Sequence, residues 1–443
     1  MRDPRQPLVF NHIPKSAGSS LTLALAGAGD EQPLVGFDRY HFGAWDGFDT
    51  LCDAFRSMAF RDPGEIPPAT RFLAGHVSYS TSEQALPGAD HVTVLREPRS
   101  RLLSLWTHER GLTDLDLEPY GDWGRWGGTP ERPARRPFGE FLGVASLAPL
   151  VDNATIRILL WPHPLIPDDR PIDPGDDAVL LAAAIDRLDQ LAFVDVMENP
   201  AWIDNLGRWL DRPMQMARIN ETRPLPTGLQ SDMSKELSPQ VMGQLASLTR
   251  LDHRIWAEVA ARGLPASRLA EHADAAWAQT VAKHTVLLAG DRSTPVPAAA
   301  EIGRFYGLGS GVPELAWLVS GWHHPDEPGV WSTATARIAV PLAESVPDEF
   351  VMRIQIDRSK VHDAALWDTD FSGPGIVEAG RSAGDSRPAV SLQIRRGDLT
   401  DRALLDVHLH VRGSVRPRDV VGNSDLRLIG GFVRGFELLG TDR

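Results

Sequence analysis

The sequence predicts two folds in tandem: an α/β domain on a mainly parallel sheet over residues 1–283, and an all-β sandwich over residues 301–443, joined by a linker at 284–300. Three observations carry this reading. Up to Lys283, short apolar runs of strand length alternate with longer runs of helical character, the pattern of βα units. Past Lys283 the period falls to two. Ala334-Ala336-Ile338-Val340, Met352-Ile354-Ile356, Val390-Leu392-Ile394 and Leu405-Val407-Leu409-Val411 each alternate with polar partners, as half-buried antiparallel strands do, and Ser372-Gly373-Pro374-Gly375 and Gly384-Asp385 mark turns. At 443 residues the chain is also longer than one hydrophobic core usually serves. Ser293 to Ala300, with Pro295 and Pro297, is the natural joint.

The first strand is Leu8-Val9-Phe10, which Pro14 ends because proline cannot continue a ladder. A small polar turn follows, Lys15-Ser16-Ala17-Gly18-Ser19-Ser20, and then Leu21, Leu23 and Leu25 in a stretch without breakers. Strand, loop and helix in this order aim backbone N–H groups and a helix N-terminus at one spot, which is how a phosphate is held. The loop differs from the GxxxxGK[ST] pattern of nucleoside triphosphatases. Lys15 opens it rather than closing it before a magnesium-binding hydroxyl, so no metal is implied. The chain has only four lysines among 45 basic residues, so a lysine here stands out against an arginine background.

Next, Asp38 to Phe42 reads as a surface segment near a cleft and Thr50 to Phe60 as a helix. Arg71 to Ala74 is a second strand, ended by Gly75-His76. A histidine just past a strand's C-terminal end is where open α/β sheets present chemistry, although a capping or core histidine fits the same position. Val92 to Leu95 is a further strand, followed by a helix that starts at Pro98 and carries Leu102, Leu105 and Trp106 on one stripe. Ser104 falls about 200° from Leu102 around that helix, so Arg96 at the strand end and Ser104 can reach one phosphate.

Between Arg110 and Pro137, Trp123 and Trp126 stand among Arg110, Arg125, Arg132, Arg135 and Arg136. Tryptophan platforms beside guanidinium forks suit sugar rings and acidic substituents, and an ordinary anchored loop fits equally. Helices follow at Phe138 to Val144, Asp152 to Leu160, Asp177 to Leu191 and Pro200 to Leu210, with a strand at Ala192 to Val196. Ser238 starts a helix through Leu251 toward Ala261, and Pro265 to Lys283 is an alanine-rich one.

With these segments in view, Ile13 to Ser20 resembles the 5′-phosphosulfate-binding loop of the sulfotransferases that use 3′-phosphoadenosine 5′-phosphosulfate (PAPS). The nearest likeness is to the carbohydrate branch that includes the heparan sulfate 2-O-sulfotransferases. Leu95-Arg96-Glu97-Pro98, with Arg101 and Ser104, resembles that family's 3′-phosphate-binding unit. Gly75 to Tyr79 looks like the segment carrying the catalytic base in the 2-O-sulfotransferases. Asp152 to Leu160 looks like a further family segment, and Arg218 to Arg223 resembles the late segment that sends residues to the nucleotide. The motifs occur in the family's order, but Ala74 stands where the family has another histidine, which leaves that role empty and points to a different acceptor.

The resemblance implies a P-loop-like fold and an O-sulfotransferase with PAPS as donor. His76 would be the base and Lys15 would stabilise the transferring group. Ser16, Ala17, Gly18, Ser19 and Ser20 would hold the 5′-phosphate, Arg96 and Ser104 the 3′-phosphate, with Thr222 and Arg223 also on the nucleotide. His12, beside Lys15, is the rival base. Gly321, Trp322, Glu327, Gly329, Trp331 and Ser332 look like an accessory β-domain of bacterial glycan-modifying transferases.

A net charge of −14 argues against a broad nucleic-acid or heparin-binding surface, so an anionic ligand must be met locally. The resemblance, with the Trp123/Trp126 loop, implies a saccharide or glycosylated metabolite as the acceptor. A single cysteine, Cys52, excludes a disulfide framework and suits a reducing compartment. No apolar run has signal-peptide or membrane-span length, so a cytoplasmic location is expected. His408 and His410 share one strand face without an evident third ligand, and no metal is expected there. Two other classes compete: a P-loop kinase-like phosphotransferase, which would need a magnesium site, and a non-catalytic glycan-binding protein with a vestigial cleft.

Overall fold

The computed structural model of the chain describes residues 2–29, 32–38, 56–112, 132–216, 225, 229–289, 298–309, 312–323, 325, 328–357, 368–382, 388–421, 425 and 427–441. Two units separate after Asp291, the second making its main run from Arg292 onward.

In the first unit the elements run β1 (Leu8–Asn11), α1 (Gly18–Gly29), β2 (Leu34–Asp38), β3 (Ala59–Phe60), β4 (Phe72–His76), α2 (Tyr79–Ala85), β5 (Asp90–Leu95) and α3 (Pro98–Gly111). Then come α4 (Phe138–Leu142), α5 (Ala154–Leu160), α6 (Asp177–Leu188), β6 (Phe193–Val196), α7 (Trp202–Leu210), α8 (Pro239–Leu248), α9 (Arg250–Ala260) and α10 (Leu269–Ala289). The six strands form one parallel sheet in the order β3-β2-β4-β1-β5-β6. β1 therefore lies between β4 and β5, pairing Asn11 with Gly75 on one side and Phe10 with Val92 on the other. Such a sheet presents its ligands at the carboxyl ends of neighbouring strands.

Several sequence expectations are corrected here. Asp38 is buried at the end of β2 rather than on the surface; its carboxylate accepts from the backbone N–H and hydroxyl of Ser78, at 2.9 and 2.6 Å, which makes its burial tolerable. Ala59–Phe60 is a strand on β2, not a helix end, because Phe60 fills the core beside Val9 and Leu73; Thr50 to Phe55 lie outside the described residues. β4 continues through Gly75 and His76. Gly75 has φ of 145°, and a Cβ there would stand 1.8 Å from the Gly36 carbonyl oxygen, so only glycine lets β2 and β4 stay paired at that point.

The helix expected from Ser238 onward is two helices, α8 and α9, broken at Thr249. Asn153 makes the break. Its N–H donates to the Leu248 carbonyl at 2.7 Å and its side-chain oxygen accepts from Leu251 N–H at 2.9 Å. Asp252 answers by accepting from Thr155 and Ile156 at the start of α5. Residues 284–289, expected in the linker, are the last turns of α10, which bury Leu287 and Leu288 and accept from Leu225 and Ser231 N–H.

α3 is buried nearly all round rather than along one stripe. Leu102, Leu103, Leu105 and Trp106 share a core with α4, α8 and Leu288 of α10. Among the described residues no helix is long and apolar enough to cross a membrane.

The second unit is an antiparallel β domain of sandwich- or barrel-like form. Its described strands are β7 (Phe305–Gly307), β8 (Leu318–Trp322), β9 (Val330–Pro341), β10 (Glu349–Asp357), β11 (Thr369–Ser372), β12 (Ile376–Ser382), β13 (Ala389–Arg395), β14 (Leu404–Val411) and β15 (Phe432–Gly440). They run in the order β11-β14-β9-β15-β10-β13-β12, with β7 on β15 and β8 on β9. The alternating residues Ile338, Val340, Met352, Ile354, Leu392, Leu405, Val407 and Leu438 all enter one core, as the period of two predicts. His408 and His410 are exposed, and His408 pairs with Asp406 at 3.5 Å.

Candidate functional site

Because β4, β1 and β5 are neighbours, the segments after them meet at one edge of the sheet. The first is the loop from His12 to Ala17. Ser16 N–H donates to the Ile13 carbonyl at 3.2 Å, and Lys15 and Ala17 both hold left-handed backbone, with φ of 67° and 58°. Ser16 between them does not share that backbone, and a turn of this kind can bring successive N–H groups toward one point. Two non-glycine residues in this region cost about 1–3 kcal/mol each, a strain that the surrounding fold maintains. α1 then opens at Gly18 with no acidic residue in its first turn, so no carboxylate of that turn competes with an anion for the positive end of the helix. Gly18 is required by contact: a Cβ would lie 1.7 Å from the imidazole of His12.

Along the loop the hydroxyls divide. Ser16 is fully buried and its Oγ has no hydrogen-bond partner among the described residues. Ser20 is nearly buried and Ser19 is exposed at the helix start. Lys15 is half-buried, and burial brings its ammonium down to about 8, with Glu109 opposing the shift and Arg96 and Lys283 adding to it. Glu109, on α3, is itself raised by burial.

His76, the last residue of β4, directs Nδ1 at the backbone carbonyl of His12, 2.8 Å away. A carbonyl only accepts, so Nδ1 carries the proton and Nε2 keeps its lone pair. Burial holds the imidazole down to about 4, the His12 carbonyl opposing and Lys15 assisting, so the ring is neutral at ordinary pH. The His12 ring stacks on it with centroids 4.4 Å apart.

Past β5, the turn at Arg96-Glu97 is clamped. Glu198 accepts from Glu97 N–H at 2.9 Å, while the Glu97 carboxylate caps α3 through Arg99 and Ser100 N–H. The Arg96 guanidinium donates to the Lys15 carbonyl and to the Thr280 hydroxyl, both at 3.2 Å. Ser104 is buried in α3 and shares no hydrogen bond with Arg96 among the described residues. Thr222, Arg223, Trp123, Trp126 and Arg125 lie outside the described residues.

Two other arginines of the Trp-bearing loop are fasteners. Arg110 donates to the carbonyls of Leu229, Ala134, Arg135 and Arg136, and Arg132 to those of Leu112 and Glu109.

The sequence reading missed the contribution of α10. Thr280 and His284 are buried one turn apart on a single face and Lys283 stands beside them, so two of the four lysines act at this site. The helical spacing Trp277, Thr280, His284, Leu288 was the available signal. Asp38, which fixes the turn after His76 through Ser78, was also missed.

No protein-family model matches the chain, and no curated protein matches it.

Proposed function

We propose that this protein is a P-loop-like sulfotransferase that moves a sulfuryl group from PAPS to a hydroxyl of a saccharide or glycosylated metabolite. The observation that carries the proposal is the adjacency of β4, β1 and β5. The three segments that resemble a catalytic-base segment, a phosphosulfate loop and a 3′-phosphate unit end on three neighbouring parallel strands. PAPS is a substrate here, supplying an activated S–O bond to its 5′-phosphate.

The acceptor oxygen attacks sulfur as the bond to the 5′-phosphate oxygen breaks, and the acceptor's proton passes to Nε2 of His76. Sulfated product and 3′-phosphoadenosine 5′-phosphate (PAP) leave. Lys15 offsets the charge that grows on the leaving oxygen. Backbone N–H groups from Ser16 to Ser20 and the buried Ser16 hydroxyl hold the 5′-phosphate; Arg96 and Ser104 hold the 3′-phosphate, with Thr222 and Arg223 beside the nucleotide. His76 is favoured over His12 as base because its tautomer is set by the His12 carbonyl with the lone pair on the far nitrogen. A cytoplasmic location is part of the proposal and rests on the lone cysteine.

Thermal shift with PAP, ATP and free sugars separates the classes. A sulfotransferase is stabilised by PAP most strongly, a kinase by ATP with magnesium, and a vestigial glycan binder by sugar alone.

A further inference from the structure

The face of α10 turned toward Arg96 carries a polar group whose state the fold alone does not explain. His284 is 1% exposed, and its Nδ1 has no hydrogen-bond partner among the described residues. Three cations act on it: Arg96 from the turn after β5, Lys283 from its own helix, and Lys15 from the loop after β1. Burial first and those cations next bring the imidazole down to about 3, so it stands neutral, with one N–H and one lone pair. A buried ring nitrogen without a partner costs free energy, and a core position would be served better by leucine. One turn earlier the Thr280 hydroxyl already bonds Arg96. An arginine, a threonine hydroxyl and an imidazole nitrogen are thus gathered at the junction of α10 with the turn after β5. Glu97 and Glu198 also act on Arg96, but the charges that act on His284 itself are cations, so the acceptor missing beside it is an anion.

We propose that Thr280 and His284 complete the 3′-phosphate pocket, with Nδ1 of His284 donating to a phosphate oxygen held by Arg96. This rests on the reading of the protein as a PAPS-dependent enzyme. The 3′-phosphate is chosen over the 5′-phosphate because Arg96 is the cation that acts most strongly on His284 and the one bonded to Thr280. The 5′-phosphate has its own cradle in the loop.

Titration calorimetry of the full chain with PAP and with adenosine 5′-monophosphate (AMP), which lacks the 3′-phosphate, tests the pocket. The intact protein binds PAP more tightly than AMP. His284→Leu reduces PAP affinity about 10- to 100-fold and leaves AMP affinity unchanged, so the preference collapses. His284→Asn, whose amide N–H sits near the position of Nδ1, restores most of it, and Thr280→Val lowers it in the same direction. A His284→Leu protein that keeps the PAP preference overturns the inference while leaving the donor reading intact. An intact protein that binds PAP and AMP alike overturns both. If His284→Leu fails to fold, Thr280→Val decides: a reduced PAP preference supports the pocket and an unchanged one contradicts it.

Discussion

Nδ1 of His76 faces the backbone carbonyl oxygen of His12 at 2.8 Å, a contact made by main chain on one side and therefore untouched by any side chain at position 12. Under the proposed function it favours His76 over His12 as the base. His76→Ala should lower turnover about 10²- to 10⁴-fold while nucleotide affinity changes little, since the imidazole addresses the hydroxyl and neither phosphate. His12→Ala keeps the carbonyl and should keep most activity, although the ring stacked on His76 and Phe10 is lost. If His12→Ala is the inactive variant and His76→Ala turns over, the base lies on the first strand.

The pH profile of kcat/KM should be a bell with limbs near 4 and 8. On the acid side His76 is held down to about 4, so activity survives well below the ordinary imidazole range and falls only as the ring protonates and loses its lone pair. On the alkaline side Lys15, brought to about 8 by burial, loses its charge as pH rises, and transition-state stabilisation goes with it. Stopped assays across this range, with Lys15→Ala for comparison, check the assignment. The variant should lack the alkaline limb and lose turnover more than nucleotide affinity.

Arg96→Ala should show the opposite split, a loss of about 1.5–3 kcal/mol in PAP binding with little change in AMP binding. Equal binding of the two nucleotides by the intact protein would remove the 3′-phosphate assignment.

Two glycines predict different outcomes. Gly18→Ala sets a Cβ against the His12 imidazole, a side chain, so a destabilisation of about 1–3 kcal/mol should be largely relieved in the double variant with His12→Ala. Gly75→Ala meets the Gly36 carbonyl, a main-chain group in a paired strand, at a φ of 145°. It should cost about 4 kcal/mol with no rescue by side-chain changes. Chemical denaturation of these three variants, with His12→Ala as the remaining corner of the cycle, measures both.

Much of this was legible in the chain. Strand–loop–helix at Leu8 to Leu25, the Gly-His pair and the Arg96 turn show themselves through apolar runs that stop at proline, glycine or charge, and the β domain through its period of two. What stayed hidden depends on distant partners. Asp38 reads as surface until Ser78 supplies two donors from forty residues away. Thr249 breaks a helix because Asn153 inserts its amide there. His284 reads as one more residue of an alanine-rich helix, because only the folded chain brings it to Arg96.

The extent of α10 also sets where the first unit can be cut. A chain ending at Lys283 removes His284, Leu287 and Leu288 and the carbonyls that receive Leu225 and Ser231. It should be unstable, whereas one ending at Asp291 should fold and bind PAP. Circular dichroism melts of the two fragments decide this, and equal stability would contradict the role given to the last turns of the helix.

The central claim is sulfuryl transfer, and it is tested most directly by incubating the full-length protein with PAPS and a panel of saccharides, glycosides, phenols and tyrosine peptides, then following PAP release and product mass. The account predicts PAP formed in step with a sulfated saccharide or glycoside, abolished by His76→Ala. Sulfation confined to phenols or peptide tyrosines would contradict the acceptor, and PAPS left intact with every hydroxyl offered would contradict the enzyme.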